Sequence, residues 1–293
     1  PEDVSSYADM NKLISFCGWI NYSLADRYIL SATVRRDGSS KFGANNKWGT
    51  FPSVSAAWRI IDESFMLGAK NFMDELKLRV GYGVSGNQSG LSPYQSMQLF
   101  GSSGLYWDNG AWHTAYAVSQ NANPNLKWET TSMFNVGVDF SFLNARLSGT
   151  IEYYDKLTKD LLYSYPVPVP PYMYSSMVAN VGSMMNRGVE LMLTGDVIRK
   201  KDFRWTLSFN AAHNHNEIVS LSNEEFTTSE IKTGNAWVRG GSSNTTHIIK
   251  EGYQVGQFYG PECLGIDENG LYIINDMVDG KPCLLYTSPS PRD

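Results

Sequence analysis

Eight stretches of this chain alternate strictly between apolar and polar side chains, and a period of two sends successive side chains to opposite faces of a sheet. Ile14, Phe16, Ile20, Tyr22 and Leu24 share one face of the first stretch, with Ser15, Cys17, Asn21 and Ser23 on the other. The pattern returns at Tyr28–Val34, Val54–Ile60, Leu76–Tyr82, Phe134–Phe142, Leu147–Tyr153, Val189–Leu193 and Phe203–Phe209. Each stretch alternates with polar neighbours such as Thr33, Arg59, Lys77, Arg79, Asp139, Glu152, Glu190 and Arg204. An antiparallel all-β protein follows.

The connections between stretches alternate in length. Ala25–Arg27, Asn144–Ala145 and Arg199–Asp202 are tight, and Ile61–Asp74 is intermediate. Asp37–Thr50 is a loop, whereas Val84–Glu129 and Thr158–Asn186 are long. Long loops collected at one end and short turns at the other describe a transmembrane β-barrel. Stretches of about ten residues match the length a tilted strand needs to cross the apolar layer. Tyr22 and Tyr28, Phe140 and Phe142, and Phe203 and Trp205 stand near the tight turns as one aromatic girdle. A large soluble sandwich or propeller would also alternate, and this reading stays open beside the barrel.

Composition is compatible with a barrel. The chain of 293 residues is 42% hydrophobic, its mean hydropathy is −0.30, and no apolar run approaches the roughly 20 residues of a spanning helix. The net charge of −5 and the lack of a basic stripe argue against a nucleic-acid partner. No signal peptide precedes the first stretch, so the natural protein is expected to begin upstream of Pro1. At the other end Cys283–Asp293 (CLLYTSPSPRD) resembles a translated sequencing adapter, which gives an expected division into barrel (1–282) and non-native tail (283–293). Cys17 and Cys263 then remain, without disulfide or zinc spacing.

Tyr28–Phe65 reads YILSATVRRDGSSKFGANNKWGTFPSVSAAWRIIDESF, and LKLRVGYGVSGNQ (76–88), NPNLKWET (123–130), YYDKLTKDLL (153–162), NVGSMMNRGVEL (180–191) and VGQFYG (255–260) follow in order. This succession, from about Asn11 to Gly280, resembles the SusC/RagA-like family of TonB-dependent outer-membrane transporters. The resemblance implies part of a 22-stranded barrel filled by a plug, in the outer membrane. It also implies import of glycans or oligopeptides with a SusD-like surface lipoprotein, energised through the TonB complex at the plug. A passive porin closed from the eight strands and a soluble carbohydrate-binding module are the alternatives. Within the first motif, Gly38 is expected to permit a turn after Arg35, and Pro52 to open a strand.

Other motifs carry less. Gly81–Gly86 spells G-x-G-x-x-G, but Asn87–Pro93 cannot start the helix that a dinucleotide site requires. His213 and His215 share a strand face without a third ligand. Asp267–Gly270 and Asn275–Gly280 resemble incomplete calcium loops, so no cofactor is expected beyond loop calcium. No nucleophile context such as G-x-S-x-G occurs, and no enzyme activity is expected. Ligand or lid contacts are expected in the long loops, from Tyr94, Tyr106, Trp107, Trp112, Tyr116 and Trp128 in the first and Tyr163, Tyr165, Tyr172 and Tyr174 in the second. Packing of these rings on one another is the competing role. Pro166–Pro171 is expected to be a stiff extended segment.

Overall fold

The computed structural model describes residues 8–223, 227–236, 244–260, 262–268, 270, 272–275 and 282–284. Two compact units are present, residues 1–228 and 229–293.

All eight alternating stretches become neighbours in one antiparallel sheet. Its strands are β1 (Leu13–Leu24), β2 (Tyr28–Ser39), β3 (Trp48–Arg59), β4 (Met73–Asn87), β7 (Glu129–Phe142), β8 (Leu147–Lys159), β11 (Ser183–Arg199) and β12 (Arg204–Ser220). They are hydrogen-bonded in that order, and among the described residues β1 and β12 do not pair with each other. The arc is therefore open, unlike the closed eight-stranded porin. A meander puts successive connections at opposite ends, so 25–27, 60–72, 143–146 and 200–203 lie at one end and 40–47, 88–128 and 160–182 at the other.

Register fixes what shares a face. One row across the sheet runs Tyr22, Leu30, Ala56, Val80, Val136, Tyr153, Val189. The adjacent row runs Ser23, Ile29, Ala57, Arg79, Gly137, Glu152, Glu190, and is polar from β4 onward. Among the described residues of the first unit the apolar face packs against no second sheet, and Leu30 is 47% exposed. That removes the soluble sandwich, whose apolar faces are buried against each other. Tight turns at the short end use positive φ at Ala25, Asp26, Leu143, Asn144 and Ala145, as two-residue and related hairpin loops require.

Two local expectations are corrected. Asp37, Gly38 and Ser39 continue β2 in extended conformation instead of turning. Gly38 is needed for close approach, since a Cβ there would lie 2.8 Å from the Trp48 indole. Pro52 lies inside β3, where the β3–β4 ladder begins at Ser53. Residues Gly81–Gly86 are strand throughout, and a Cβ at Gly86 would collide with the Phe51 ring.

The long connections are also structured. Residues 88–128 contain a hairpin, β5 (Leu99–Asp108) and β6 (Ala111–Gln120), and 160–182 contain another, β9 (Leu162–Pro166) and β10 (Ser176–Asn180). The proline run caps the second hairpin: Val167 N–H donates to the Ser175 carbonyl (2.9 Å) and Tyr172 N–H to the Pro168 carbonyl (3.2 Å). The second unit holds short strands, β13 (Glu230–Ala236), β14 (Asn244–Lys250), β15 (Gln257–Phe258), β16 (Cys263–Ile266), β17 (Tyr272–Asn275) and β18 (Pro282–Leu284).

Candidate functional site

The polar face is ion-paired. Arg79 forms a fork on Asp139, Nε to Oδ2 at 2.8 Å and a terminal nitrogen to Oδ1 at 3.0 Å, and reaches Glu152 at 3.3 Å. Lys77 Nζ joins Asp139 at 2.8 Å, Thr150 donates to Asp139 at 3.1 Å, and Asn135 donates to Glu152 at 3.1 Å. The charges on β4, β7 and β8 thus pair across strands. Glu190, directly opposite Glu152, is exposed beside a cavity of about 580 Å³ that Arg79, Thr150 and Asn210 also line. Arg204 instead meets Asp196 at 2.8 Å near the short turns. Replacing Arg79 by Met leaves Asp139 to Lys77 and Thr150 and leaves Glu152 to Asn135. We expect a loss of about 1–3 kcal/mol, between exposed and buried pairs, read from the urea midpoint of the full-length barrel. Arg79→Lys restores part of it, because the fork is lost but the charge is kept.

On the apolar face the hydrophobic band has a definite height. It begins at the ring row near the short turns, where Tyr28 stacks on Trp58 (6.4 Å) and Phe140 and Phe142 meet at 5.6 Å. At the far side polar groups replace it: Arg36 over Trp48, and the Arg187–Asp155 pair at 2.8 Å. From Tyr28 to Arg36 a tilted strand rises roughly 20 Å along the membrane normal, close to the apolar band of about 25 Å on outer-membrane barrels. His213 and His215 stand on this face at the polar border, opposite Val189 and Arg187.

The ten loop aromatics divide. Trp128, 6% exposed, is wedged between Phe42 (4.5 Å) and Phe51 (5.4 Å) and donates to the Lys47 carbonyl. Leu91 and Leu126 complete that core, which closes the base of two long loops. Tyr165, 5% exposed, belongs with Val167, Met177, Ala179 and Val181, and Tyr172 packs against them. Burial pushes the Tyr165 hydroxyl pKa up. Tyr163, edge-on to Tyr165 at 5.3 Å, is exposed, as are Tyr94 and Tyr174.

Tyr106, Trp107, Trp112 and Tyr116 all lie on the β5–β6 hairpin. Its register sets Trp107 against Trp112, edge to face at 5.3 Å, and Tyr106 against His113. A bulge between Ser102 and Gly104 brings Phe100, Leu105, Trp107, Trp112 and Tyr116 to one face, and all five are exposed. Amides pin its base. Gln120 donates to the Tyr94, Gln95 and Met97 carbonyls, and Asn121 donates to those of Tyr174 and Ser176 while accepting from Met173 and Tyr174 N–H. Sequence reasoning missed these amides, because their partners are distant in the chain. Among the described residues no group of three His, Cys, Asp or Glu side chains is placed to hold a metal. The stretch after Asn275, through 280, lies outside those residues.

Comparison with known proteins agrees with this geometry. Residues 17–257 match the family described as TonB dependent receptor-like, beta-barrel. The chain is 38% identical over 277 residues to the TonB-dependent receptor SusC of Bacteroides thetaiotaomicron, covering 94% of this chain and 27% of SusC. It is 36% identical to the TonB-dependent receptor P3 of Formosa agariphila, covering 91% and 26%. The RagAB peptide importer in its 'closed-closed' state superposes with a TM-score of 0.79 at 29% identity, over 95% of this chain and 29% of that one. The RagAB peptide transporter gives 0.78 at 30% identity, over 94% and 29%. The chain spans about a quarter of the length of the curated relatives it matches. With the apolar side of its sheet to lipid and the ion-paired side to the lumen, the chain belongs to the TonB-dependent receptors of the outer membrane, as a SusC/RagA-like barrel portion.

Proposed function

We propose that this chain is the wall and mouth of an active importer that takes up glycans or oligopeptides, working with a SusD-like surface lipoprotein and driven by TonB through a plug. The observation that carries this reading is the exposed aromatic face of hairpin β5–β6, held at the long-loop end of the barrel wall by the Gln120 and Asn121 amides. Flat exposed rings suit sugar faces, peptide side chains or the surface of a lid protein. The hairpin carries one acidic residue, Asp108, at its turn and no lysine or arginine, so contact there rests on apolar area and neutral hydrogen bonds. The likeness to the RagAB peptide importer supports the oligopeptide class, and the exposed flat rings suit the glycan class. In this reading the barrel portion does no chemistry.

Uptake of labelled oligosaccharides and oligopeptides by cells carrying the full-length protein tests the proposal. Import stops when the proton gradient is collapsed, whereas a passive pore continues to admit the same solutes. Trp112→Ala with Tyr116→Ala leaves barrel assembly intact. It weakens substrate capture or lipoprotein co-purification about five- to 150-fold, at about 0.5–1.5 kcal/mol for each of the two aromatic contacts. Unchanged uptake and co-purification would sink the hairpin's role.

A further inference from the structure

The connection between β3 and β4 is the odd member of the short-turn end. Its neighbours close within a few residues, but 60–72 makes three 3-10 turns, Ile60–Asp62, Ser64–Met66 and Ala69–Asn71. Ile61 is buried beneath it, yet Phe65 is 67% exposed and Leu67 65%, and Phe72 is also exposed. Large apolar side chains on a surface turn cost free energy in water, and nothing in tight-turn chemistry calls for them.

The segment is rooted in the lipid-facing ring row. Glu63 accepts from the Tyr28 hydroxyl (2.6 Å), Trp58 Nε1 (3.0 Å) and Arg27 (3.3 Å). Tyr28 and Trp58 belong to the apolar face. At its other end Phe72 stacks on Phe142 of that face, nearly parallel with centroids 6.4 Å apart. The Phe72 carbonyl accepts from Leu143 N–H at 2.8 Å, and Leu143 is itself exposed in the next turn. Lys70, paired with Asp62 at 3.1 Å, is the kind of long cation that reaches headgroups beside buried apolar neighbours.

We propose that residues 60–72 lie in the headgroup–acyl boundary of the periplasmic leaflet, with Phe65, Leu67 and Phe72 inserted as an interfacial anchor that sets the depth of the barrel. The phospholipid leaflet is the occupant because the apolar surface of the segment is continuous with the lipid-facing band through Phe142, Tyr28 and Trp58. Amphipathic helices that lie in this boundary bury their apolar face about 5–10 Å deep, a depth within reach of the Phe65 and Leu67 side chains. The inference is independent of substrate and lid.

The test uses the full-length protein, otherwise free of cysteine, in vesicles of phosphatidylethanolamine and phosphatidylglycerol. Phe65→Cys and Leu67→Cys carry an environment-sensitive fluorophore, with Val54→Cys as the deep reference and Asn109→Cys in the β5–β6 turn as the aqueous one. Heat-modifiable gel mobility confirms that each variant has folded. The expected result is a blue-shifted emission at 65 and 67 that loses most of its intensity to nitroxides near the headgroup and little to iodide in water. Quenching by iodide like that at Asn109 overturns the proposal. So does blue-shifted emission untouched by lipid nitroxides, which would place the segment against protein. If one labelled variant fails to fold, the other decides.

Discussion

Trp128→Ala costs about 3–5 kcal/mol, the range for emptying a buried aromatic site, and the loss falls on the loops. The ring fills the space between Phe42 and Phe51, and its N–H is a second donor to the Lys47 carbonyl. Its neighbour Leu126 is fully buried, and the Leu126 carbonyl holds Gly43 N–H at 2.9 Å. Without the indole, 40–47 and 88–128 lose the core that joins them, while the β ladders below are untouched. Limited proteolysis and hydrogen exchange on the full-length protein should show both loops opening with barrel mobility on gels unchanged. Trp128→Phe keeps most of the volume and removes one of two hydrogen bonds to the Lys47 carbonyl, which still accepts from Ser39 N–H, a smaller loss of about 0.5–1.5 kcal/mol. Protection of both loops equal to that of the parent in Trp128→Ala would mean the cluster does not hold them.

The second large effect separates two adjacent residues. Val54 and Ser53 follow each other in β3, so their side chains leave opposite faces. Val54 shares a row with Ala32 and Tyr82 on the apolar face, whereas Ser53 faces Thr33 and Gly83 across the lumen side. Val54→Arg places a guanidinium near the middle of the hydrocarbon and destabilises the barrel by about 2–4 kcal/mol. Ser53→Arg puts the same charge into a recess of about 760 Å³ lined by Ser31, Ser55 and Asn135 and leaves the urea midpoint close to that of the parent. The difference between the two midpoints is the measurement. Equal damage would refute the facing derived from register, and with it the separation into lipid and lumen sides.

Much of this protein is legible residue by residue, because a period of two is a local property. Ile14 to Leu24 or Phe134 to Phe142 declares a strand, its inward and outward sets and its approximate length without reference to any other part of the chain. The order of short and long connections then declares a meander with two unlike ends. Local reading failed where a neighbour across the sheet decides. Gly38 looked like a turn glycine and is a strand glycine under Trp48; Pro52 looked like a strand start and sits inside β3. The β5–β6 hairpin was hidden because its bulge at Gly104 breaks the alternation between Leu99 and Tyr106.

Alternation in the sequence therefore determined the fold class, the eight sheet strands and the side of the sheet each of their residues takes. Tertiary structure alone decided that Arg79 bridges Asp139 and Glu152, that Trp128 and Tyr165 are structural while Trp112 and Tyr116 are presented, and that 60–72 joins the lipid-facing rings. The physical reason is that strand direction depends on the covalent period of one segment. Partnership depends on register and loop docking between segments far apart in the chain, and no local pattern encodes them.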